Sequence, residues 1–389
     1  MTKNRKTLTK ERRRSSILAT IAALILSMLV GCGPSEAKLA TVDYTPLPGD
    51  DWKVSTPEEQ GLNPALVAEL YLNATELETI YSLLVIKNGY LIAEGYFNDG
   101  SIEQLSARHS ATKSYTSALV GIAMEQGCLS SLDQKMMDFF PEFANQVHAT
   151  DPRKEQITIR HLLQMRAGYP YDSTDYYGDI LFLSGNWRWL PHLVDFPLVN
   201  DPGTEANYSN VTSHILGVIV QRACDTDLKS FAQKHLFEPT GAELGNWTRD
   251  LDDYNWGWGE IYVTARDMAK FGLLYANDGK FHGAQVIPAD WVHDSLQIYS
   301  EDAWITKKIG KYFKDNGYGY QWWSASVGKH DFNFAWGHGG QLIILLDKLD
   351  MIIVTTANPL NEVPPADGWK YEKTVIDLVG RFIKSLPGE

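Results

Sequence analysis

Strand-like segments lie at the two ends of this 389-residue sequence, and helical segments occupy the middle. Near the N-terminal end, apolar runs over 83–86 and 91–97 flank Asn88-Gly89, a dipeptide typical of the tight turn of a β-hairpin. This distribution constrains the fold strongly, because strands from distant parts of the chain must then meet in one sheet.

The C-terminal end shows the same pattern. Residues 342–346 and 351–356 are a second pair of strand-like runs, and 375–386 carries apolar residues on one helical face. The middle, about 112–250, contains helical stretches joined by Gly-, Pro- and Asp-rich loops. We therefore predict an α+β fold, an antiparallel sheet built from both ends of the chain and flanked by helices, with a helical subdomain inserted over about 112–250.

The N-terminal segment, residues 1–31, has the composition of a secretory signal. It contains seven Lys or Arg, followed by an apolar run of about 14 residues over 17–30. That run is shorter than the roughly 20 residues that a membrane-spanning helix needs. We predict a signal peptide over 1–31, a tether over 32–45 and a catalytic domain over 46–389.

The end of this segment, Leu29-Val30-Gly31-Cys32, resembles the bacterial lipobox. The resemblance implies that Cys32 becomes the lipidated mature N-terminus, and several acyl chains suffice for stable membrane anchoring. The expected location is the bacterial cell envelope, facing the periplasm or the cell surface. Gly33 after the cysteine favours the outer membrane. The alternative is a plain signal peptide with an incidental cysteine.

Composition excludes several classes of function. Residues 32–389 carry 28 Lys and Arg against 47 Asp and Glu, a net charge of −19, which repels nucleic-acid phosphates. The ten histidines do not fall in a metal-ligand spacing, and no phosphate-binding glycine loop occurs, so we predict no metal and no cofactor. Cys128 and Cys224 could pair in an oxidising compartment, but each lies in an apolar helical stretch, and we favour two buried free cysteines.

The Ser-x-x-Lys pattern occurs three times, at Ser35, Ser110 and Ser326, but only Ser110 opens a largely apolar helix. Positions i and i+3 share a helix face, so the Lys113 amine can reach the Ser110 hydroxyl. A desolvated lysine can remove the serine proton, and the helix N-terminus supplies N–H groups for an oxyanion. The alternative is an N-cap serine beside a solvated lysine.

Two further motifs follow in the chain, Tyr208-Ser209-Asn210 and Trp336-Gly337-His338-Gly339-Gly340-Gln341. With Ser110-Ala111-Thr112-Lys113, the order resembles the serine β-lactamase and penicillin-binding-protein superfamily. The nearest branch is the class C β-lactamase-related esterases and hydrolases, which includes the aminohexanoate-dimer hydrolases. The resemblance covers roughly residues 50–386 and implies a β-lactamase-like fold.

The resemblance also implies residue roles. Ser110 attacks an acyl carbon, while Lys113 and Tyr208 share the proton transfers, and which of the two is the first base stays open. Asn210 is expected to hydrogen-bond Lys113 or the substrate. The backbone N–H groups of Ser110 and Gln341 would form the oxyanion hole.

The third motif departs from the Lys-Thr-Gly of β-lactamases, because His338 and Gly339 stand in place of the lysine and threonine. A mostly neutral imidazole binds a carboxylate more weakly, so efficient β-lactam hydrolysis is doubtful. His338, Gly339 and Gly340 are candidate substrate contacts, as are Trp336 and, from an acidic-aromatic loop, Tyr169. His109 is interpreted as a packing residue.

The sequence therefore predicts a serine hydrolase that cleaves a small ester or amide through an acyl-serine intermediate. The alternatives are a non-catalytic or acylation-only penicillin-binding-like lipoprotein, a D-alanyl peptidase and a weak β-lactamase. The expected partners are a small-molecule substrate and, through Cys32, a membrane. The sequence leaves the oligomeric state open.

Overall fold

A computed structural model of the chain describes residues 34–171, 190–191, 196–301, 303, 306–360 and 365–388. The chain divides into two units, Met1–Val42 and Asp43–Glu389. In the first unit, the short helix α1 (Glu36–Leu39) is capped by Ser35. Within the described ranges, we find no helix with the length and apolar composition needed to cross a bilayer.

An antiparallel sheet forms the centre of the second unit. In the described part of the chain it has eight strands in the order β2-β1-β12-β11-β10-β9-β8-β7, and two short pairs, β3-β4 and β5-β6, lie outside it. The strands are β1 (Ile80–Lys87), β2 (Tyr90–Tyr96), β3 (Ser106–Ala107), β4 (Tyr262–Val263), β5 (Lys280–Phe281), β6 (Ala284–Gln285), β7 (Lys308–Ile309), β8 (Phe313–Tyr318), β9 (Trp323–Val327), β10 (His330–Gly337), β11 (Gln341–Leu346) and β12 (Met351–Ala357).

Both predicted hairpins are confirmed. The first turns at Asn88 and Gly89, whose φ angles of 53° and 76° are the left-handed values that a two-residue hairpin turn requires. β1 from the first hairpin pairs with β12 from the second, so strands from the two ends of the chain are neighbours in the sheet.

Helices cover both faces of the sheet. After α1 they are α2 (Pro64–Ala74), α3 (Thr112–Glu125), α4 (Ala144–Thr150), α5 (Ile159–Leu163), α6 (Asn210–Ala223), α7 (Leu228–Ala232), α8 (Glu238–Thr240), α9 (Ala265–Ala276), α10 (Ala289–Ser295) and α11 (Pro365–Ser385). Short 3₁₀ turns include His109–Ala111, which leads directly into α3. The predicted α/β (α+β) architecture, an antiparallel sheet flanked by helices, is confirmed.

The side chains of β11 alternate between the two faces of the sheet, so this strand faces the helices on both sides. Ile343 and Leu345 join the large core that includes α3, α6 and α9, and a Cβ at Gly272 of α9 would meet both side chains. The residues between them point to the opposite face because strand side chains alternate. There α11 packs on the sheet and on α2.

Cys128 and Cys224 form a disulfide, so the prediction of two free cysteines is wrong. Their Cα atoms are 5.1 Å apart, within the usual range for bridged cysteines. The two residues lie just beyond the C-terminal ends of α3 and α6, which pack side by side, rather than inside those helices.

The C-terminal end of strand β10 has an edge that the neighbouring strand β9 does not cover. β10 pairs with β9 only from His330 to Phe334, so Ala335–Gly337 extends past that partner. The turn His109–Ala111 packs against this extension, and a Cβ at Gly337 would overlap the carbonyl oxygen of Arg108. Only glycine allows the backbone to approach so closely.

Candidate active site

Ser110 lies in the 3₁₀ turn His109–Ala111, at the start of the buried helix α3. The preceding residue, Arg108, is 1% exposed and anchors the turn. Its guanidinium donates to the carbonyl of Val263 at 2.9 Å and to Oε1 of Gln341 at 3.1 Å. Burial lowers the pKa of Arg108 to about 10, so the side chain stays cationic at neutral pH.

His109 adopts a left-handed backbone conformation with φ of 44°. Its Nδ1 lies 2.9 Å from Oε1 of Glu260, whose own φ is 64°. Non-glycine residues at positive φ are uncommon, and they occur preferentially where surrounding structure compensates the strain. The pair therefore ties the turn His109–Ala111 to the segment that carries Glu260, and His109 does more than pack.

Lys113 is 1% exposed, and its ammonium contacts three oxygen atoms. Nζ lies 3.0 Å from Ser110 Oγ, 2.5 Å from Asn210 Oδ1 and 3.1 Å from the carbonyl oxygen of Trp258. An amide or carbonyl oxygen can only accept a hydrogen bond, whereas a hydroxyl can accept or donate. Of these three contacts, the one to Ser110 can therefore reverse its direction and carry a proton from serine to lysine.

Tyr208 and Asn210 flank the N-cap of α6. Ser209 caps the helix by accepting from the N–H of Thr212, which fixes the backbone on either side of it. Asn210 is thereby directed at Lys113, and the Tyr208 ring centroid lies 4.7 Å from Lys113 Nζ. A cation at that distance interacts favourably with the ring.

An aromatic cluster of Tyr208, Trp323 and Trp336 extends from the lysine towards the third motif. The rings of Tyr208 and Trp323 stack with centroids 5.3 Å apart, and Trp323 contacts Trp336 edge-on at 5.6 Å. The structure thus brings Ser110, Lys113, Tyr208 and Asn210 together and reaches Trp336 through Trp323.

The third motif forms the turn between β10 and β11. Nδ1 of His338 lies 2.8 Å from Oε2 of Glu372, a carboxylate on α11, and the imidazole packs edge-on to His109 with ring centroids 6.0 Å apart. The hydrogen bond to Glu372 raises the pKa of His338 above its ordinary value. The prediction of a mostly neutral imidazole did not include this carboxylate.

The two glycines of the motif permit this turn. Gly339 and Gly340 have φ angles of 86° and 99°, which favour glycine. A Cβ at Gly340 would lie 2.8 Å from Val375 on α11, so the turn fits closely against that helix. Gln341 follows as the first residue of β11, and its buried side chain bonds Arg108 and the carbonyl of Ala357.

Tyr169 does not join the Ser110 group. It is 1% exposed within the hydrophobic core, and its hydroxyl lies 3.9 Å from the sulfur of Met136. The remainder of its acidic-aromatic loop, from Asp172, and the predicted lipidation residue Cys32 lie outside the described residues.

Sequence reasoning missed Glu260, Glu372 and the Trp258 carbonyl. For Glu372 a signal existed, since it lies three and seven residues before Val375 and Val379 and therefore on the apolar face of the helix. An acid at such a core position usually has a partner. The other two depend on a loop conformation that no local pattern indicates.

Comparisons with known proteins agree with this geometry. The β-lactamase family profile matches residues 82–376. The chain is 23% identical over 284 residues to the 6-aminohexanoate-dimer hydrolase of Paenarthrobacter ureafaciens, and the match covers 70% of this chain and 71% of that protein. The solved structure of EstCE1, a hydrolase with promiscuous acyltransferase activity, is similar with a TM-score of 0.61 and 17% identity, covering 79% of this chain and 95% of EstCE1.

A second solved structure, the octameric penicillin-binding protein homologue from Pyrococcus abyssi, is similar with a TM-score of 0.59 and 18% identity, covering 83% of this chain and 77% of that one. Since the family profile spans about three quarters of the sequence and includes all three motifs, the resemblance is confirmed, and the chain belongs to the β-lactamase family of serine hydrolases.

Proposed function

We propose that this hydrolase cleaves a small ester or amide through an acyl-enzyme intermediate on Ser110. The observation that carries the proposal is the buried lysine, whose Nζ is 3.0 Å from Ser110 Oγ while Asn210 and the Trp258 carbonyl hold it from the other side. This is the arrangement of a nucleophile, its base and an orienting group that covalent catalysis requires.

Lys113 is the first base. In the reactive form, the neutral amine donates its two protons to Asn210 and Trp258 and accepts the Ser110 proton as Oγ bonds to the acyl carbon. The resulting ammonium donates to the same two oxygens, so neither contact changes during the transfer. Tyr208 then protonates the leaving group and, after it departs, takes a proton from the attacking water, while Lys113 returns its proton to Ser110 Oγ as the acyl–oxygen bond breaks.

The oxyanion that forms on the acyl group is bound by backbone N–H groups at two places, the nucleophile turn (His109–Ala111) and the end of β10. Gly337 pairs with Gln341 across the hairpin, and its carbonyl accepts from Gly340 N, so its backbone faces β11. Because N–H groups alternate along a strand, that of His338 points to the opposite edge, beside Ser110. We therefore assign the second donor to His338, in place of Gln341.

The site favours uncharged acyl groups with apolar character. Glu372 compensates the positive charge of His338, so the third motif is a weaker anion site than the lysine of a β-lactamase. The aromatic cluster offers apolar surface next to Tyr208. Short-chain esters and linear amides are therefore the expected substrates, ahead of β-lactams and D-alanyl peptides.

Labelling with a fluorophosphonate probe tests the nucleophile. The wild-type protein should gain one adduct in intact mass, Ser110→Ala none, and Ser326→Ala, which alters another Ser-x-x-Lys serine, the full amount. An unlabelled wild-type protein would contradict the proposal and favour the non-catalytic alternative. Stable acylation by esters without release would indicate the acylation-only alternative.

The same probe separates the two proton carriers. Fluoride leaves without a proton, so Tyr208→Phe should still be labelled while losing amide turnover, whereas Lys113→Ala should lose both. Labelling of Lys113→Ala at the wild-type rate would assign the first base to Tyr208 instead. Parallel assays with p-nitrophenyl esters, a linear anilide, a chromogenic cephalosporin and a D-alanyl-D-alanine peptide rank the substrate classes.

We also propose that the protein is a lipoprotein of the bacterial cell envelope, anchored through Cys32. The disulfide between Cys128 and Cys224 supports export, because such bonds persist mainly in oxidising compartments. Incorporation of labelled palmitate into the wild-type protein, absent from Cys32→Ala, tests the anchor. Equal incorporation, or none in either protein, would contradict it and favour a plain signal peptide.

A further inference from the structure

Glu372 is a buried carboxylate directed at the third motif from α11. It is 2% exposed and accepts three hydrogen bonds from three different residues. The donors are Trp336 Nε1 at 2.6 Å, Gly339 N at 3.0 Å and His338 Nδ1 at 2.8 Å. Burying a carboxylate costs several kcal/mol unless it is paired and hydrogen-bonded, so these bonds hold the carboxylate and its three partners in place.

The three donors span the end of β10 and the turn that follows it. Two of them, the Trp336 indole and the Gly339 amide, belong to the residues on either side of the Gly337-His338 peptide, and the third is the His338 side chain itself. Gly337 already touches the Arg108 carbonyl. The peptide that carries the His338 N–H is therefore held from one side by the nucleophile turn and from the other by Glu372.

We propose that Glu372 is a positioning residue, which holds the β10–β11 turn so that the His338 N–H faces the oxyanion formed at Ser110. This inference rests on the proposed function. It assigns the C-terminal helix a part in catalysis, although no atom of that helix has to touch the substrate.

The carboxylate also determines the state of the His338 ring. Nδ1 must carry a proton to donate to Glu372, and the ring also hydrogen-bonds the Pro359 backbone. Among the residues that the structure describes, His109 of the turn His109–Ala111 also faces the ring, and it is itself paired with Glu260. Loss of the Glu372 charge should therefore lower the pH at which His338 titrates.

Glu372→Gln tests the proposal because it preserves shape but removes the charge. A glutamine has one acceptor oxygen, so if that oxygen keeps the contacts to Gly339 N and His338 Nδ1, its NH2 group faces the Trp336 indole N–H, and the turn should shift. We expect kcat for a p-nitrophenyl ester to fall about 100-fold with KM nearly unchanged, since a displaced oxyanion donor or a 1 Å error costs about that factor. The pH dependence of kcat should change as well, because the carboxylate that raises the pKa of His338 is removed.

Asp377→Asn is the matched control. Asp377 lies on the same helix, and its carboxylate accepts from Lys311 N, away from Ser110. It should leave kcat and the pH profile unchanged even if it lowers the melting temperature. If Glu372→Gln does not fold, Glu372→Asp serves instead. It keeps the charge and the pH profile, but its shorter reach should still lower kcat.

The outcomes separate the two proposals. A wild-type protein that neither labels at Ser110 nor turns over esters would overturn the proposed function, and the positioning role of Glu372 with it. An active wild-type protein whose kcat and pH profile survive a folded Glu372→Gln substitution would overturn the positioning role alone. An equal loss of kcat in Asp377→Asn would do the same, because general loosening of the helix would then explain the effect.

Discussion

Replacing Gly337 by alanine should reduce turnover, because it should displace the β10–β11 turn, which carries the proposed oxyanion donor, from Ser110. The added Cβ would overlap the Arg108 carbonyl and lie 3.1 Å from Ala111 N, and both neighbours are backbone atoms that cannot rotate away. An ordinary carbon–oxygen contact is about 3.3–3.6 Å, so one side must move by roughly 1 Å. A displacement of that size costs about 100-fold in rate, or about 2.7 kcal/mol in activation free energy.

The assay is kcat/KM for a short-chain p-nitrophenyl ester, together with the rate of fluorophosphonate labelling. Gly259→Ala is the control on the other side of the turn His109–Ala111. A Cβ at Gly259 would lie 3.9 Å from the carbonyl oxygen of His109. This variant should retain activity within about threefold, because that distance is an ordinary van der Waals contact. Wild-type rates in Gly337→Ala would refute the reasoning, since the turn would then tolerate displacement from Ser110.

Three further predictions concern stability. Replacing Cys128 and Cys224 by serine should lower the free energy of unfolding by about 4–5 kcal/mol, from the loop entropy of a 96-residue separation, and urea titration measures it. An unchanged midpoint would contradict this. Glu372 raises the pKa of His338, so the pair stabilises the fold below the unfolded value of about 6.5 and that stabilisation is lost as the pH rises through the folded pKa. His338→Gln should therefore lower the melting temperature more at about pH 5.5 than at about pH 9, and equal losses would refute it. Glu94→Gln removes one charge of the buried ion pair with Arg266 of α9 and should lower the free energy of unfolding by about 3–5 kcal/mol. A loss below about 1 kcal/mol in a denaturant titration would contradict this value.

The parts of the fold that could be predicted from the sequence are those encoded by local patterns. Asn88-Gly89 between apolar runs specifies a hairpin through the backbone freedom of its two residues. The spacing of Ser110 and Lys113 indicates that their side chains meet, because helical geometry alone brings i and i+3 together. Such features need no knowledge of the rest of the chain.

The remaining features depend on contacts between distant segments. The second oxyanion donor that we propose, the N–H of His338, could not be identified from the sequence, because it depends on where β10 ends and on a register that pairs Gly337 with Gln341. The disulfide depends on two helices ending side by side. Tyr169 was misread because an aromatic residue in a polar loop can still turn into the core, as its burial shows.

Ser110 lies in the first third of the sequence, and Glu372 lies 262 residues later on α11. A polypeptide interrupted before residue 365 still contains all three motifs but lacks the carboxylate that accepts from Trp336, His338 and Gly339. If Glu372 positions the β10–β11 turn as proposed, such a fragment would carry an intact serine and lysine and yet be a poor catalyst.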